Sequence, residues 1–282
     1  LYGGDGDDWA DLGADADRAY GGLGIDTFYG GSAADILRGE TGDDVLYGGD
    51  HNDTLYGGSE HDQLFGQTGD DVLSGSIGSD RLDGGSGRDE LIGGSGADWL
   101  NGGSDHDLLY AGSGVDTLYG GSGKDQLYGG IGTDTLFGGS DTDVIDGGTG
   151  FDQLTGGDGA DIYRFGLNYR TDVINENDLD IDQLRFGASV HADQLWFSRQ
   201  GQDLLIKIIG SKDDVVRIAA WYDGVAHQIE QIRSGDKLML NQQDVQVLVD
   251  AMASLTPPPL GQMQLDASTE QALAQAMQVW AA

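Results

Sequence analysis

One aspartate recurs every nine residues over more than half of the chain. Counted in nines from Gly3, the register runs without a gap to Arg164 and contains eighteen repeats, each with Asp at its sixth position. So regular a spacing predicts a fold built by stacking one small unit. The aspartates are Asp8, Asp17, Asp26, Asp35, Asp44, Asp53, Asp62, Asp71, Asp80, Asp89, Asp98, Asp107, Asp116, Asp125, Asp134, Asp143, Asp152 and Asp161.

The other repeat positions indicate how the unit folds. Position 1 is Gly in sixteen repeats, position 2 in fifteen and position 4 in twelve, while position 8 is a large apolar residue in sixteen. Glycine permits backbone angles that side chains forbid, so six residues can form a tight turn. Positions 7 to 9 then predict a short strand with position 8 facing inward. Stacked leucines, each contributing roughly 1.5 to 3 kcal/mol, supply the core that one repeat cannot make.

The charge of the chain requires a counter-charge. Of 282 residues, 49 are acidic and 14 basic, for a net charge of −35. This balance opposes compaction and argues against nucleic acid or an anionic membrane as a partner. A hard divalent cation, which prefers oxygen ligands, is the predicted neutraliser. The chain has no cysteine, so disulfides and thiolate metal sites are excluded, and no apolar run predicts a membrane span.

The pattern GGxGxDxUx, in which U is a large apolar residue, resembles the calcium-binding nonapeptide repeats of the repeats-in-toxin (RTX) family. The resemblance covers residues 3 to 164. It implies an all-β fold, a right-handed parallel β-roll with two repeats in each eighteen-residue turn. It also implies Ca²⁺ between each loop and the loop eighteen residues later, as between Asp107 and Asp125 or Asp116 and Asp134. Eighteen loops in two stacks allow up to sixteen such interloop sites.

The same resemblance implies main-chain ligands. One loop would provide its Asp and the carbonyls of positions 2 and 4, and the next loop its Asp and the carbonyls of positions 1 and 3. Residues 1 to 164 hold 33 acidic and 6 basic side chains, and sixteen Ca²⁺ would roughly cancel their net charge of −27. Folding is therefore expected to depend on calcium. The carbonyls assigned in this way are those of Gly85, Gly87, Gly94, Gly96, Gly102, Ser104, Gly112, Gly114, Gly121, Gly123, Gly130, Gly132, Gly138, Ser140, Gly147 and Thr149.

Aromatic residues recur at the ninth position, which is Tyr or Phe in half of the repeats. On alternate strands these side chains are predicted to form ladders on the outer faces. Cross-strand stacking that stabilises the sheet is the favoured interpretation, and a platform for a glycan or protein partner is the alternative. The ladders include Tyr29, Tyr47, Phe65, Tyr119 and Phe137.

The glycine rhythm stops after Arg164. Residues 165–240 are predicted to form a β-rich cap over the end of the roll, an arrangement that resembles a domain often found after RTX repeats. Within it, Asp178, Asp180 and Asp182 are candidates for a further metal site, although a solvated acidic loop is favoured. Residues 241–282 are predicted to be a helical tail without Lys or Arg, similar to the uncleaved signal of type I secretion. A helix docked on the cap is an equal alternative.

No HExxH helix, GxSxG elbow or cysteine nucleophile occurs, so we expect no active site in this chain. The preferred interpretation is a monomeric, non-enzymatic module that leaves a Gram-negative cell unfolded through the type I secretion machinery and folds on extracellular calcium. One alternative is the repeat region of a secreted adhesin or matrix protein. Another is the C-terminal part of a secreted enzyme or toxin. Because the chain starts inside the repeat pattern, we expect a longer parent protein.

Overall fold

The computed structural model describes residues 1–262, 264–274 and 276–281. After the first strand, each nonapeptide contributes one short strand that begins directly after the position-6 aspartate and runs into the next glycines. This is the local structure that the repeat predicts. The strands of the repeat region are β1 (Tyr2–Asp5), β2 (Trp9–Asp11), β3 (Arg18–Leu23), β4 (Thr27–Ser32), β5 (Ile36–Thr41), β6 (Val45–Asp50), β7 (Thr54–Ser59), β8 (Gln63–Thr68), β9 (Val72–Ile77), β10 (Arg81–Ser86), β11 (Glu90–Gly96), β12 (Trp99–Ser104), β13 (Leu108–Gly114), β14 (Thr117–Ser122), β15 (Gln126–Gly132), β16 (Thr135–Ser140), β17 (Val144–Gly150), β18 (Gln153–Asp158) and β19 (Ile162–Phe165).

Strands from alternate repeats form two separate sheets. The odd-numbered strands β1 to β19 lie side by side in one sheet, and the even-numbered strands β2 to β18 in the other. Pairing is parallel, and Leu82 of β10 lies opposite Leu100 of β12, eighteen residues later. One coil therefore consists of two repeats, two strands and two turns. The repeat region is a parallel β-solenoid, and the all-β fold class agrees with the expected β-roll.

Position 8 of the repeat forms the interior of the solenoid. Phe28 and Ile145 are fully buried there, and Ala19 takes the same place at the N-terminal end. Each side chain touches the equivalent residue of the next coil, so burial is continuous although no repeat has a core of its own. The leucines that complete this column are Leu37, Leu46, Leu55, Leu64, Leu73, Leu82, Leu91, Leu100, Leu109, Leu118, Leu127, Leu136 and Leu154.

The expected aromatic ladders lie on the outer faces. The rings of Tyr29 and Tyr47 are 4.7 Å apart at an angle of 4°, and those of Tyr47 and Phe65 are 4.9 Å apart at 10°. Tyr119 and Phe137 stack in the same way at 5.0 Å. Parallel strands in register place like residues side by side, so ring-on-ring stacking accounts for these positions within the sheet itself.

The C-terminal part adds further strands and short helices. Its α-helices are α1 (Gln242–Met252) and α2 (Ala267–Leu273), and short 3₁₀ segments occur at Ala192–Gln194, Trp221–Asp223, Val225–His227 and Ala276–Ala281. The strands are β20 (Thr171–Ile174), β21 (Gln183–Phe186), β22 (Leu195–Gln200), β23 (Asp203–Ile208), β24 (Val215–Ile218), β25 (Gln231–Arg233) and β26 (Met239–Asn241).

Both sheets continue past the end of the nonapeptide register. Strand β20 pairs in parallel with β18, and β21 with β19, but the coils are longer: Leu154 lies opposite Ile174 and Tyr163 opposite Leu184. Strands β24 and β25 extend the same ladders, and antiparallel β23, β22 and β26 form the final edges. The predicted boundary at residue 164 marks a change in turn length and composition, whereas the sheets themselves are unbroken there.

Helix α1 packs against the end of the sheets. Asn241 caps α1 by accepting hydrogen bonds from the main-chain N–H groups of Gln243 and Asp244. The apolar face of α1, which includes Leu248 and Met252, is buried against β22 and β26. Of the predicted tail, residues 263, 275 and 282 lie outside the described residues.

A core truncation should test the stacked interior. We expect Leu100→Ala to destabilise the calcium-loaded protein by about 2 to 5 kcal/mol, because the rigid column cannot close over the cavity. Ile131→Ala is the matched control, since Ile131 also lies on a strand but is 66% exposed. Thermal unfolding in millimolar calcium would show a lower midpoint for the first variant alone. Equal midpoints for both variants would contradict a stabilising contribution from the buried leucines.

Candidate calcium centres

The position-6 aspartates lie above one another in two stacks. In each stack the main-chain N–H of one Asp donates a hydrogen bond to Oδ1 of the Asp eighteen residues later. This bond joins sixteen pairs, from Asp8 and Asp26 to Asp143 and Asp161, at 2.7 to 2.9 Å. One carboxylate oxygen of each later aspartate is therefore fixed by the coil before it.

The second carboxylate oxygen has no such bond. From Asp26 to Asp161, the side chains are at most 2% exposed. Yet Oδ2 of every repeat aspartate except Asp17 is buried and has no hydrogen-bond partner within the described residues. Buried polar atoms in proteins are almost always paired, and a buried charge requires a counter-charge. The stacks therefore offer regularly spaced anionic oxygens that suit a cation.

Main-chain carbonyls converge on the same places, as the gap between residues 120–125 and 138–143 shows. A Cβ on Gly120 would lie only 2.4 Å from the carbonyl oxygen of Gly138 and 2.7 Å from Oδ2 of Asp125. A Cβ on Gly139 would lie 2.0 Å from the carbonyl oxygen of Gly121. Glycine thus lets the coils approach until carboxylate and carbonyl oxygens from both loops are neighbours. Oxygens of these two kinds are the ligands that Ca²⁺ prefers.

Not every carbonyl of the predicted ligand set is free of other bonds. The carbonyl oxygen of Ser104 accepts a hydrogen bond from the N–H of Gly87 at 3.3 Å, and that of Ser140 accepts one from Gly123 at 3.2 Å. A carbonyl oxygen has two lone pairs, so this bond leaves room for a metal. The predicted carbonyls of positions 1 and 3 therefore differ: position 1 faces the carboxylate, and position 3 also holds two coils together.

Five of the six loops that lack glycine at position 4 keep its positive φ, and Asp15 is the exception. Position-4 residues Ala33, His51, Glu60, Asp105 and Asp141 all have positive φ, between 76° and 91°. Such angles are strained for residues with a side chain, by roughly 1 to 2 kcal/mol. The stacking of the coils therefore overrides the local preference of these residues, and their carbonyls keep the direction that glycine gives.

Position-5 side chains form a further row of hydrogen bonds along the turns, beside the two aspartate stacks. The carboxylate of Asp70 accepts a hydrogen bond from the N–H of Arg88, and Nδ1 of His61 and His106 accept from the N–H groups of Ser79 and Lys124. These histidines are thus used as turn acceptors, on the solvent side of the aspartate stacks.

The sequence did not place three acidic residues in the carboxylate stacks, although it named one of them, Asp182, as a candidate ligand of a further metal site. The N–H of Asp152 donates to Oδ1 of Asp172 at 3.2 Å, and that of Asp161 donates to Oδ1 of Asp182 at 2.8 Å. Next, the N–H of Asp182 donates to Glu230 at 3.0 Å. The nine-residue count cannot reach these positions, because the coils have lengthened. The tripeptides Asp172-Val-Ile and Asp182-Gln-Leu are identical to those that begin at Asp143 and Asp152. This local similarity is a sequence signal for two of the three residues.

The acidic loop before β21 separates the three aspartates that the sequence singled out. Asp178 and Asp182 lie together with Glu176, with carboxylate oxygens within 4.8 Å of one another. Asp180 is exposed, and its carboxylate accepts a hydrogen bond from the N–H of Gly159 at 3.1 Å. Glu176, which was not predicted, thus takes the place in the cluster that Asp180 was expected to fill.

Burial without a counter-ion changes the acidity of the stacks. Burial is the largest cause and outweighs the second, the hydrogen bond from the preceding coil, which lowers the pKa; neighbouring charges contribute less. It raises the pKa of Asp107 and Asp143 to about 8 and that of Asp98 to about 7. It raises the pKa of Asp125 to about 6. These shifts indicate carboxylates that resist ionisation unless a cation is close.

A comparison with known families agrees with this geometry. The family described as RTX calcium-binding nonapeptide repeat (4 copies) matches residues 1–28, 29–64, 56–91, 65–100, 83–118, 101–136, 110–145 and 137–169. Together the segments cover more than half of the chain. The chain belongs to the RTX family. The resemblance read from the sequence is confirmed, and the stacked aspartates of this RTX protein lie in calcium-binding repeats.

The RTX assignment leaves the individual ligands as predictions. The repeat region is a structural module of the calcium-binding class. Among the described residues, no helix is long and apolar enough to cross a membrane.

Acid should partly replace calcium. Unfolded aspartates have a pKa of ~3.9, whereas burial in the folded chain raises the pKa of Asp125 to about 6 and that of Asp107 to about 8. The folded chain therefore binds more protons, so its metal-free stability is greatest below the unfolded pKa and is lost as pH rises through the folded values. In chelator, we expect circular dichroism to show more strand at about pH 5 than at about pH 8.

Calcium-saturated protein is the control for this experiment, because its strand content should stay constant over the same range. Light scattering must accompany the measurement, since the isoelectric point is 4.1. Identical spectra of the chelated chain at both pH values would contradict the predicted proton uptake.

Proposed function

We propose that this RTX chain is a calcium-switched folding module, disordered inside the cell and folded outside it. The observation that carries the proposal is the buried Oδ2 of the position-6 aspartates, which has no partner in the described residues. Removing a charge from water without a partner costs several kcal/mol, so a roll with these carboxylates ionised is unstable at neutral pH. A bound cation reverses the sign of this contribution, and folding and binding become one event.

Calcium fits the proposed gaps better than other metals. The oxygens supplied are carboxylate and carbonyl, without cysteine, and Ca²⁺ accepts six to eight such ligands in flexible geometry. Each gap would use the position-6 Asp of two successive coils with the carbonyls of positions 2 and 4 of one loop and 1 and 3 of the next. Sites of extracellular modules fill at roughly 10⁻⁴ to 10⁻³ M calcium, so they would stay vacant in the cytosol.

The switch suits export of a larger protein. A chain that cannot compact inside the cell can be threaded unfolded, and calcium outside then drives it into the folded state. We propose type I secretion as the route and residues 241–282, which lack Lys and Arg, as the signal. Helix α1 of this segment packs on β22 and β26 in the folded chain, which does not conflict with recognition of the unfolded tail. The activity of the parent protein would lie in other domains.

Removing calcium should unfold the repeats. We expect circular dichroism in chelator at neutral pH to show a mostly disordered chain, and millimolar Ca²⁺ to restore strand. Millimolar Mg²⁺ should restore much less, because it requires near-octahedral geometry and keeps its waters. Equal strand content in chelator and in calcium would contradict the proposed folding switch.

Two variants of one loop sharpen this test. Asp107→Asn removes a buried carboxylate that faces the gap, whereas Asp105→Asn makes the same charge change at an exposed position of the same loop. We expect the first to raise the calcium concentration at half-folding by roughly tenfold, equivalent to ~1.4 kcal/mol, and the second to leave it almost unchanged. A similar shift for both would indicate general charge screening and not a specific site.

Export should depend on the tail. Deleting residues 242–282 should retain the protein inside cells that carry a type I system, as measured by its distribution between cells and medium. The control deletes residues 30–65, which are two complete coils, so the eighteen-residue register is preserved and secretion should continue. Normal export of the tail deletion would exclude a signal there.

A further inference from the structure

The loop between β20 and β21 differs chemically from the repeat loops. Asp182 holds the place of a position-6 aspartate, since its Oδ1 accepts the N–H of Asp161 and β21 follows directly. Leu154 lies opposite Ile174, so Glu176 stands one coil beyond Gly156. The loop thus carries a carboxylate side chain where the repeats have glycine, and it is one residue longer, since ten residues separate Ile174 from Leu184 and nine separate Leu154 from Tyr163.

Three carboxylates of this loop converge. One oxygen each of Glu176, Asp178 and Asp182 lies within 4.8 Å of the other two. Glu176 is only 4% exposed and Asp182 only 1%. In the described part of the chain, no Lys or Arg forms an ion pair with any of the three. Like charges at this spacing repel strongly in a buried setting, so the arrangement requires a positive partner.

The hydrogen bonds divide each carboxylate into a fixed oxygen and an open one. Oε1 of Glu176 accepts the hydroxyl of buried Tyr163, and Oδ1 of Asp178 accepts the N–H of Asp180 at 3.2 Å. Oδ1 of Asp182 accepts the N–H of Asp161 at 2.8 Å. The remaining oxygens, Glu176 Oε2, Asp178 Oδ2 and Asp182 Oδ2, are buried without a hydrogen-bond partner among the described residues.

Contacts from outside the loop hold the cluster in position. Nδ1 of His227 lies 2.6 Å from the main-chain oxygen of Glu176, and the N–H of Asp182 donates to Glu230 at 3.0 Å. Tyr163 belongs to β19, the last strand of the register, while Glu230 directly precedes β25. The open oxygens are therefore presented by a loop that is fixed to the strands on both sides.

We propose that Glu176 Oε2, Asp178 Oδ2 and Asp182 Oδ2 form a further calcium site, distinct from the interloop gaps of the repeats. All three ligands are anionic side-chain oxygens, whereas a repeat gap combines aspartates with neutral carbonyls. Higher ligand charge and a more rigid site raise calcium affinity. The site should therefore fill at lower free calcium than the repeats, with only the last coil and the C-terminal strands folded, because the apolar core of those strands needs no calcium.

Calcium binding by the full chain at low free calcium tests this site. Equilibrium dialysis against ⁴⁵Ca²⁺ buffered at ~10 μM lies far below the ~10⁻⁴ to 10⁻³ M at which extracellular sites fill. Wild type should retain one ion more per chain than Glu176→Gln or Asp178→Asn. Asp180→Asn is the matched control, because Asp180 is in the same loop but its carboxylate bonds to Gly159, and it should retain the ion.

Tyr163→Phe tests the positioning of Glu176. Loss of the hydroxyl should lower the affinity for the tightly bound ion by several-fold. At millimolar calcium, all four variants should bind the same number of ions at the remaining, weaker sites. Dialysis in ~1 mM Mg²⁺ should leave the ion in place, and its displacement would overturn the assignment to calcium.

The outcomes separate this site from the repeat sites. If Glu176→Gln and Asp178→Asn bind as Asp180→Asn does at low calcium, the cluster is not a site. If wild type shows the tight ion but neither binds further calcium nor folds in millimolar calcium, the proposed folding switch fails and this site stands. Should Glu176→Gln not fold, Asp178→Asn decides, since Asp178 is only partly buried.

Discussion

The structure depends on carboxylates that are stacked coil upon coil and kept from water. Each position-6 aspartate uses one oxygen to accept the N–H of the preceding coil, so the stack cannot rearrange to separate the charges without breaking main-chain bonds. The other oxygen is left against the carbonyls of the next loop. In this fold the distance between like charges is set by the strand spacing of the sheet. Ionised carboxylates at this spacing therefore oppose the folded state unless a positive charge or a proton neutralises them.

Coil stacking also dominates over the conformational preference of individual residues. At position 2, Glu40, Gln67 and Ser76 have φ of 79° to 83°, in the region that glycine normally occupies. A single unfavourable residue of this kind is tolerated because its neighbours on both sides fix the path of the chain. Glycine recurs at position 1 for a steric reason. A Cβ on Gly102 would lie 2.4 Å from Oδ2 of Asp107 and fill the space in front of that oxygen.

The sequence predicted most of the repeat region because its structure is local and periodic. A count of nine places Asp107 above Asp89 and Leu118 above Leu100, and the structure pairs them in this way. What the count could not predict begins where turns lengthen. Asp172, Asp182 and Glu230 join the stacks through strand pairing, which is a tertiary effect that no fixed spacing records. Glu176 was missed for the same reason, since its role depends on Tyr163 and on the fold of its loop.

The C-terminal strands of the two sheets are stabilised differently from the repeat coils. Beyond β21 the strands bury Trp196, Phe197 and Trp221, and helix α1 covers β22 with its apolar face. Burial of this kind involves no charge, so its contribution is independent of calcium. A solenoid needs such an end, because its last coil would otherwise expose both its core column and an unpaired strand. The continuous sheets thus pass from coils organised around carboxylates to coils organised around aromatic and aliphatic side chains, and the loop of Glu176 and Asp182 lies at the transition between them.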